Sequence, residues 1–300
     1  MDQLVARDPD GSRVALAVRS AFDDVLDGPR TGRYRVSELH KQEKAYPHLV
    51  MERALARAFD LRHGDSDSGM DLLLADDTGT DLKFSLVFGG WMFSKQHIGK
   101  LVLLLHADDE TNRWSLGALR IQEGMLAQGG NPDGKRRLAA DHRHEIQWIQ
   151  RDASLPPNAL ADLPPDDLRE ILKQTSGKRV TELLRKADGL VISRNNLETV
   201  AMQQDVGRRV REARSELAAS GIVLLSGGNL RHERIARSLA LPVPSPGEYV
   251  TARLARVQPG HESMRNGVVP DDEGECWALA LPDDVPKPLP LSLRLLPSPV

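Results

Sequence analysis

Met70-Asp-Leu-Leu-Leu-Ala-Asp-Asp-Thr-Gly-Thr-Asp-Leu-Lys-Phe-Ser-Leu-Val-Phe88 reads as strand, tight turn, strand. From Asp81 the pattern alternates, with Leu82, Phe84, Leu86 and Phe88 on one face and Asp81, Lys83 and Ser85 on the other. Side chains two apart on a strand project the same way, about 7 Å apart, so Asp81 and Lys83 address one small object. A hairpin centred near Asp76 brings Asp71 opposite Asp81. Like charges facing each other across strands repel, and a cation between them relieves the repulsion. Carboxylate oxygens are the ligands Mg²⁺ takes.

The segment upstream offers a third carboxylate. His48 to Phe59 reads as a helix with Met51, Ala54, Leu55, Ala58 and Phe59 as its apolar stripe. Glu52 lies three residues before Leu55 and seven before Phe59, beside that stripe, where an unpaired charge is costly. An isolated Asp-x-Lys is ordinarily a solvated pair. A helix-borne Glu, a turn-linked Asp and an in-phase Asp-x-Lys together are far more specific.

That order resembles the PD-(D/E)xK nuclease fold, and the surrounding text resembles NaeI-type restriction endonucleases. The matching passages are Asp27-Gly28-Pro29-Arg30-Thr31-Gly32-Arg33, Leu39-His40-Lys41, Glu43-Lys44, Asp81-Leu82-Lys83-Phe84-Ser85 and Gly90-Trp91-Met92. Lys135-Arg136-Arg137-Leu138, Thr199-Val200-Ala201 and Leu241-Pro242-Val243-Pro244 extend the match, which spans about Phe22 to Leu281. The resemblance implies a Mg²⁺-dependent, sequence-specific endonuclease leaving 5′-phosphate and 3′-hydroxyl ends. Asp71, Asp81 and the Leu82 backbone carbonyl would hold the metal. Glu52 would bind a metal-coordinated water, a second ion, or Lys83 itself. Lys83 would orient or deprotonate the attacking water, or neutralise developing charge. A two-fold homodimer suits a palindromic target. The family further implies a second, effector DNA site held by the C-terminal domain, a GC-rich palindrome of the GCCGGC kind, and a cognate DNA methyltransferase protecting the host.

Bulk properties agree. Three hundred residues with a net charge of −3 suit about two globular domains. One cysteine, Cys276, excludes an intrachain disulfide and fits a reducing cytoplasm. The N-terminal text lacks a signal-peptide pattern, and runs such as Leu101 to Leu105 are too short to span a bilayer.

Along the chain, residues 12 to 26 read as an amphipathic helix ending at Leu-Asp-Gly-Pro. Val25-Leu26-Asp27-Gly28-Pro29-Arg30 is similar to a nucleotidyl-transferring ligase box, with Val25 where the nucleophilic lysine would stand, so it is a turn. Strands are expected at Leu101 to His106 and Trp114 to Ile121, and a helix from Lys135 to Ile149. The proline-rich passage 155–168 reads as a linker, which divides the chain into an endonuclease domain at 1–154, a second domain at 169–283 and a proline-rich, extended tail at 284–300.

Residues 171 to 215 hold ten Lys or Arg against five Asp or Glu. Helices are expected at Val180 to Ala187, at Arg194 to Met202 with Ser193 as N-cap, and from an Asp205 N-cap to Ala219, the last carrying Arg208, Arg209, Arg211 and Arg214. Strands at Ile222 to Leu225, Tyr249 to Val257 and Cys276 to Leu281, with a helix at Glu233 to Leu239, complete the winged helix-turn-helix order. The expected fold is therefore an α/β (α+β) nuclease domain, a central mixed sheet flanked by helices, plus a C-terminal winged helix-turn-helix DNA-binding domain. DNA contacts are expected at Trp91, Lys135, Arg136, Arg137, Arg194, Arg208, Arg209 and Arg211, with Trp91 equally readable as core.

His142-Arg143-His144 lacks partners at ligand spacing, and Ser226-Gly227-Gly228-Asn229 lacks a nucleotide loop's Lys-Ser/Thr. Three other functions compete: a DNA-binding regulator with a silent nuclease fold, a repair or structure-specific nuclease, and a topoisomerase-like enzyme. The last is weakened because no tyrosine stands out as a nucleophile.

Overall fold

The chain opens with two helices, α1 (Asp2–Arg7) and α2 (Ser12–Leu26). Buried Asp8 between them accepts the backbone N–H groups of Arg13 and Val14, donors that the first turn of a helix leaves unpaired. In α2 the buried Val14, Val18, Ala21, Phe22 and Val25 form one face, as the sequence predicts, whereas Leu16, expected on the same face, is exposed. A short α3 (Gly28–Thr31) follows, then α4 (Tyr46–Ala58), with Pro47 in its first turn and Met51 and Leu55 buried. This computed structural model describes residues 2–64, 72–74, 76–258, 261 and 265–294.

A mixed sheet packs against α2 and α4. Its strands are β1 (Arg62–His63), β2 (Leu72–Leu73), β3 (Gly79–Ser85), β5 (Leu101–Asp108), β6 (Arg113–Arg120) and β8 (Gln147–Ser154), in the order β1-β2-β3-β5-β6-β8. Among the described residues of this sheet only β3 and β5 run parallel. A separate pair joins β4 (Met92–Phe93) to β7 (Arg136–Arg137). Leu72 faces Thr80 and Leu73 faces Gly79, so the hairpin centres on Asp76 as expected. Leu82, Phe84, Leu103 and Leu105 join Phe22, Met51, Leu55 and Phe59 in the helix-side core. Val102 and Leu104 point the opposite way, to Trp91, Phe93, Ile121 and Leu138. Each fully buried apolar side chain of this kind contributes about 1.5–3 kcal/mol. The helix expected from Lys135 to Ile149 does not form; the segment is β7, a 3-10 turn at Ala140–Glu145, and β8.

The described chain divides into two compact units, Met1–Leu26 with Arg35–Pro156, and Asp27–Tyr34 with Pro157–Val300. The second contains α5 (Ala159–Asp162), α6 (Pro165–Lys173), α7 (Ser176–Lys186), β9 (Val191–Ser193), α8 (Arg194–Ala201), α9 (Gly207–Ala219), β10 (Ile222–Ser226), α10 (Leu230–Ser238), β11 (Glu248–Arg256), β12 (Val269–Pro270), β13 (Cys276–Leu279) and α11 (Leu291–Arg294). Strand β11 pairs antiparallel with β9, β10 and β13. Ser193 caps α8 through its side chain, as expected. The cap of α9 is Val206, one residue beyond the expected Asp205.

Three sequence expectations are corrected in this unit. The 155–168 passage is no loose linker: Leu155 is buried, and Ala159, Leu160, Leu163 and Leu168 enter the second unit's core. Asn158 donates to the Tyr34 carbonyl at 2.8 Å and accepts from Asn196 at 2.9 Å. The tail runs exposed through 285–288 and then packs, with Leu289 and Leu293 buried and the Leu289 N–H on the Ala218 carbonyl. Residues 27–34 also belong here. A Cβ on Gly28 would lie 2.1 Å from Thr199 Oγ1, so only glycine fits against α8.

Candidate active site

The site lies on β3, just beyond its pairing with β2. Among the described residues β2 covers only Gly79 and Thr80, and no strand pairs with Asp81–Ser85 on the edge away from β5. Asp81 and Lys83 share the face opposite Leu82 and Phe84, as the alternation predicts. Asp81 is 4% exposed. A carboxylate so deeply buried is costly unless it is paired and hydrogen-bonded. Both conditions are met at one oxygen, Oδ2, which accepts from Lys83 Nζ and, at 2.8 Å, meets His97 Nε2.

His97 is the site residue that sequence reasoning missed. It ends the 3-10 turn Lys95–His97, whose N-cap is Ser94. The Ser94 backbone N–H reaches His97 Nδ1 at 3.0 Å, and Ser94 Oγ lies 2.9 Å from the same nitrogen. Nδ1 also lies 3.1 Å from the Ser94 carbonyl oxygen, so three atoms of Ser94 surround this nitrogen while Nε2 faces Asp81. The available signal was Ser-x-x-His, a capping spacing, 13 residues beyond Asp81 at its Ser.

Glu52 is half-buried on α4. His48, one turn earlier on the same flank, meets Phe84 edge-on with ring centroids 5.6 Å apart. Burial lowers the His48 pKa from its ordinary value, and the positive charges of Lys83 and Lys135 lower it further. Helix α4 thus meets β3 through His48, which also feels the charge of Lys83. Asp71 lies outside the described residues. Among the described residues no group of three or more His, Cys, Asp or Glu is disposed to hold a metal ion. The expected donors, the Asp81 and Glu52 carboxylates and the Leu82 carbonyl, are all oxygens, the ligand type a hard cation takes.

The expected DNA contacts divide. Lys135 and Arg137 are exposed, and Arg136 is half-buried and paired with Glu123. Trp91 is a core residue, 1% exposed, with its indole N–H on the Leu105 carbonyl at 2.8 Å, so the core alternative holds and the DNA-contact expectation is corrected. In the second unit Arg208 and Arg211 are exposed and Arg209 is half-buried. Arg194 pairs with Glu198, and Arg208 and Arg209 with Glu212. Surface pairs of this kind contribute about 0–1 kcal/mol, so phosphate readily displaces them. Arg214 turns inward instead. Its guanidinium is held by the Leu224 carbonyl and Ser226 Oγ, and burial lowers its pKa to about 10. His142 bonds Glu145 at 2.6 Å, and Asn229 caps α10, so neither segment forms a ligand site.

Residues 1–288 match the family model described as restriction endonuclease NaeI. The type II restriction enzyme NaeI of Lentzea aerocolonigenes is 34% identical over 292 residues, covering 94% of this chain and 89% of that enzyme. Among the described residues no helix is long and apolar enough to cross a membrane.

Proposed function

We propose that this chain, which belongs to the NaeI restriction endonuclease family and is a type II site-specific deoxyribonuclease, cuts double-stranded DNA at the face of β3 that bears Asp81 and Lys83. The observation that carries this assignment is the buried Asp81 sharing Oδ2 with Lys83. Asp81, Asp71, the Leu82 carbonyl and Glu52 would hold Mg²⁺. Bound there, the ion would supply positive charge to the phosphoryl group and lower the pKa of a water. Lys83, released from Asp81, orients that water, takes its proton or balances charge on the phosphate. In-line attack leaves 5′-phosphate and 3′-hydroxyl ends.

The second unit reads as a winged helix-turn-helix. Its order is α7, β9, α8, α9, β10, β11, with β11 paired to both β9 and β10. In that topology α9 is the groove-entering helix, presenting Arg208, Arg209 and Arg211. Arg194 begins α8, and Lys135, Arg136 and Arg137 serve the nuclease unit as phosphate contacts. A cytoplasmic homodimer that holds one GC-rich palindrome for cutting and another as effector, alongside a protecting methyltransferase, completes the reading.

The test is digestion of an unmethylated GC-rich plasmid with Mg²⁺, wild type beside Asp81→Ala, with product ends sequenced. One palindrome at every end, absent with the variant, is expected. Equal cutting by both proteins would remove Asp81 from the mechanism.

A further inference from the structure

We propose that His97 is the positioning residue for Asp81, fixing the carboxylate orientation in which it takes a divalent cation. The inference rests on the reading of Asp81 as a metal-holding carboxylate. Sequence places His97 16 residues away on a separate turn, yet its Nε2 lies 2.8 Å from Asp81 Oδ2.

The physical argument concerns rotation. A carboxylate turns about its last torsion, and a cation is held well only if the oxygen facing it stays in place. Lys83 does not enforce that, because its ammonium rides on a flexible four-carbon stem. His97 does. It is 3% exposed and has only two side-chain torsions. Ser94 engages Nδ1 through its backbone N–H and lies within reach through Oγ, and Phe93 meets the ring at 6.2 Å and 77°. With Nδ1 held among the Ser94 atoms, Nε2 faces Oδ2. Lys83 is then the partner that can leave Oδ2 for the water or the phosphate while the carboxylate keeps its place.

A purely structural histidine, there only to satisfy a buried carboxylate, makes the same contacts and predicts a different outcome. The experiment is Mn²⁺ binding to the full-length protein, followed by water-proton relaxation, for wild type, His97→Ala, His97→Gln, Ser94→Ala and Asp81→Ala. Thermal unfolding and the Mg²⁺ dependence of cleavage are recorded in parallel. His97→Ala is expected to weaken Mn²⁺ by about 10–100-fold, the usual effect of removing a hydrogen bond behind a metal ligand. His97→Gln, whose amide N–H reaches about as far as Nε2, should stay within about five-fold of wild type. Cleavage should lose kcat while KM for DNA is unchanged.

A folded His97→Ala that binds Mn²⁺ like wild type, with only its melting temperature lowered, overturns the proposal. Should His97→Ala not fold, Ser94→Ala decides, since it loosens the ring and keeps the imidazole: a several-fold loss of Mn²⁺ affinity is expected, and none overturns the proposal. Asp81→Ala separates the two levels. If it keeps Mn²⁺ affinity, the reading of Asp81 falls and His97 with it. If it loses Mn²⁺ while His97→Ala does not, the role of His97 alone falls.

Discussion

The imidazole of His48 stands edge-on to the Phe84 ring, centroids 5.6 Å apart and planes at 79°. Burial and the charges of Lys83 and Lys135 all lower its pKa, burial most. Its NMR titration midpoint should fall below the ordinary 6.5. Lys83→Gln should move the midpoint upward, though not all the way, because burial remains. An unmoved midpoint would mean that Lys83 does not act on this ring.

His232 provides a second pH dependence, in the other unit. Burial, then Arg214, lowers its pKa to about 4, while its Nδ1 accepts the Ser226 N–H at 2.9 Å. The folded protein thus binds this proton less readily than the unfolded chain, and stability rises with pH between the two values. The contribution is complete above about pH 6.5 and is lost as pH falls toward 4, up to about 3 kcal/mol. His232→Asn, which retains an acceptor for Ser226 and does not titrate, should flatten that part of the melting-temperature profile. A profile with the wild-type slope would assign the dependence to other groups.

Gly227 touches backbone where any Cβ would stand. A Cβ there would lie 1.8 Å from the Ser245 carbonyl oxygen. Gly227→Ala should destabilise the second unit by more than about 3 kcal/mol, since neither strand-to-helix turn nor facing loop can yield cheaply. Gly124→Ala, with nothing within 4 Å of the added carbon, should change stability by less than about 0.5 kcal/mol. Equal melting temperatures for the two variants would contradict this packing.

The exposed arginines of α9 should announce themselves through salt. Each phosphate contact removed lowers the slope of log K against log salt by about 0.9. Arg208→Gln and Arg211→Gln are expected to weaken DNA binding and shrink the slope, whereas Arg214, buried against Leu224 and Ser226, should leave the slope alone when replaced by Lys. A full wild-type slope in the double variant Arg208→Gln/Arg211→Gln would remove α9 from the interface.

Asp81 and Lys83 were legible because a strand's two-residue period is local, and so were the buried stripes of α2 and α4. His97 was not: a hydrogen bond across 16 residues leaves no periodic trace, and its turn is too short to show one. The 135–149 stretch misled because Lys, Arg, Leu and Ala favour helices, while pairing with β6 decided for strand at β8. Prolines at 156–157 and 164–165 suggested a linker, yet proline at the start of α6 is a normal helix opening. Trp91 was ambiguous because sequence does not reveal which neighbour accepts its N–H.

Residues 27–34 lie in the second unit although chain on both sides of them lies in the first. The chain is therefore not a tandem of two genetic modules. A gene fragment starting at codon 157 would encode α8 without the Gly28 turn that covers Thr199. Recombination or engineering that swaps one half for a relative's must carry both strips of the second unit together. During synthesis, too, the early eight-residue strip finds its place only once α8 has been made.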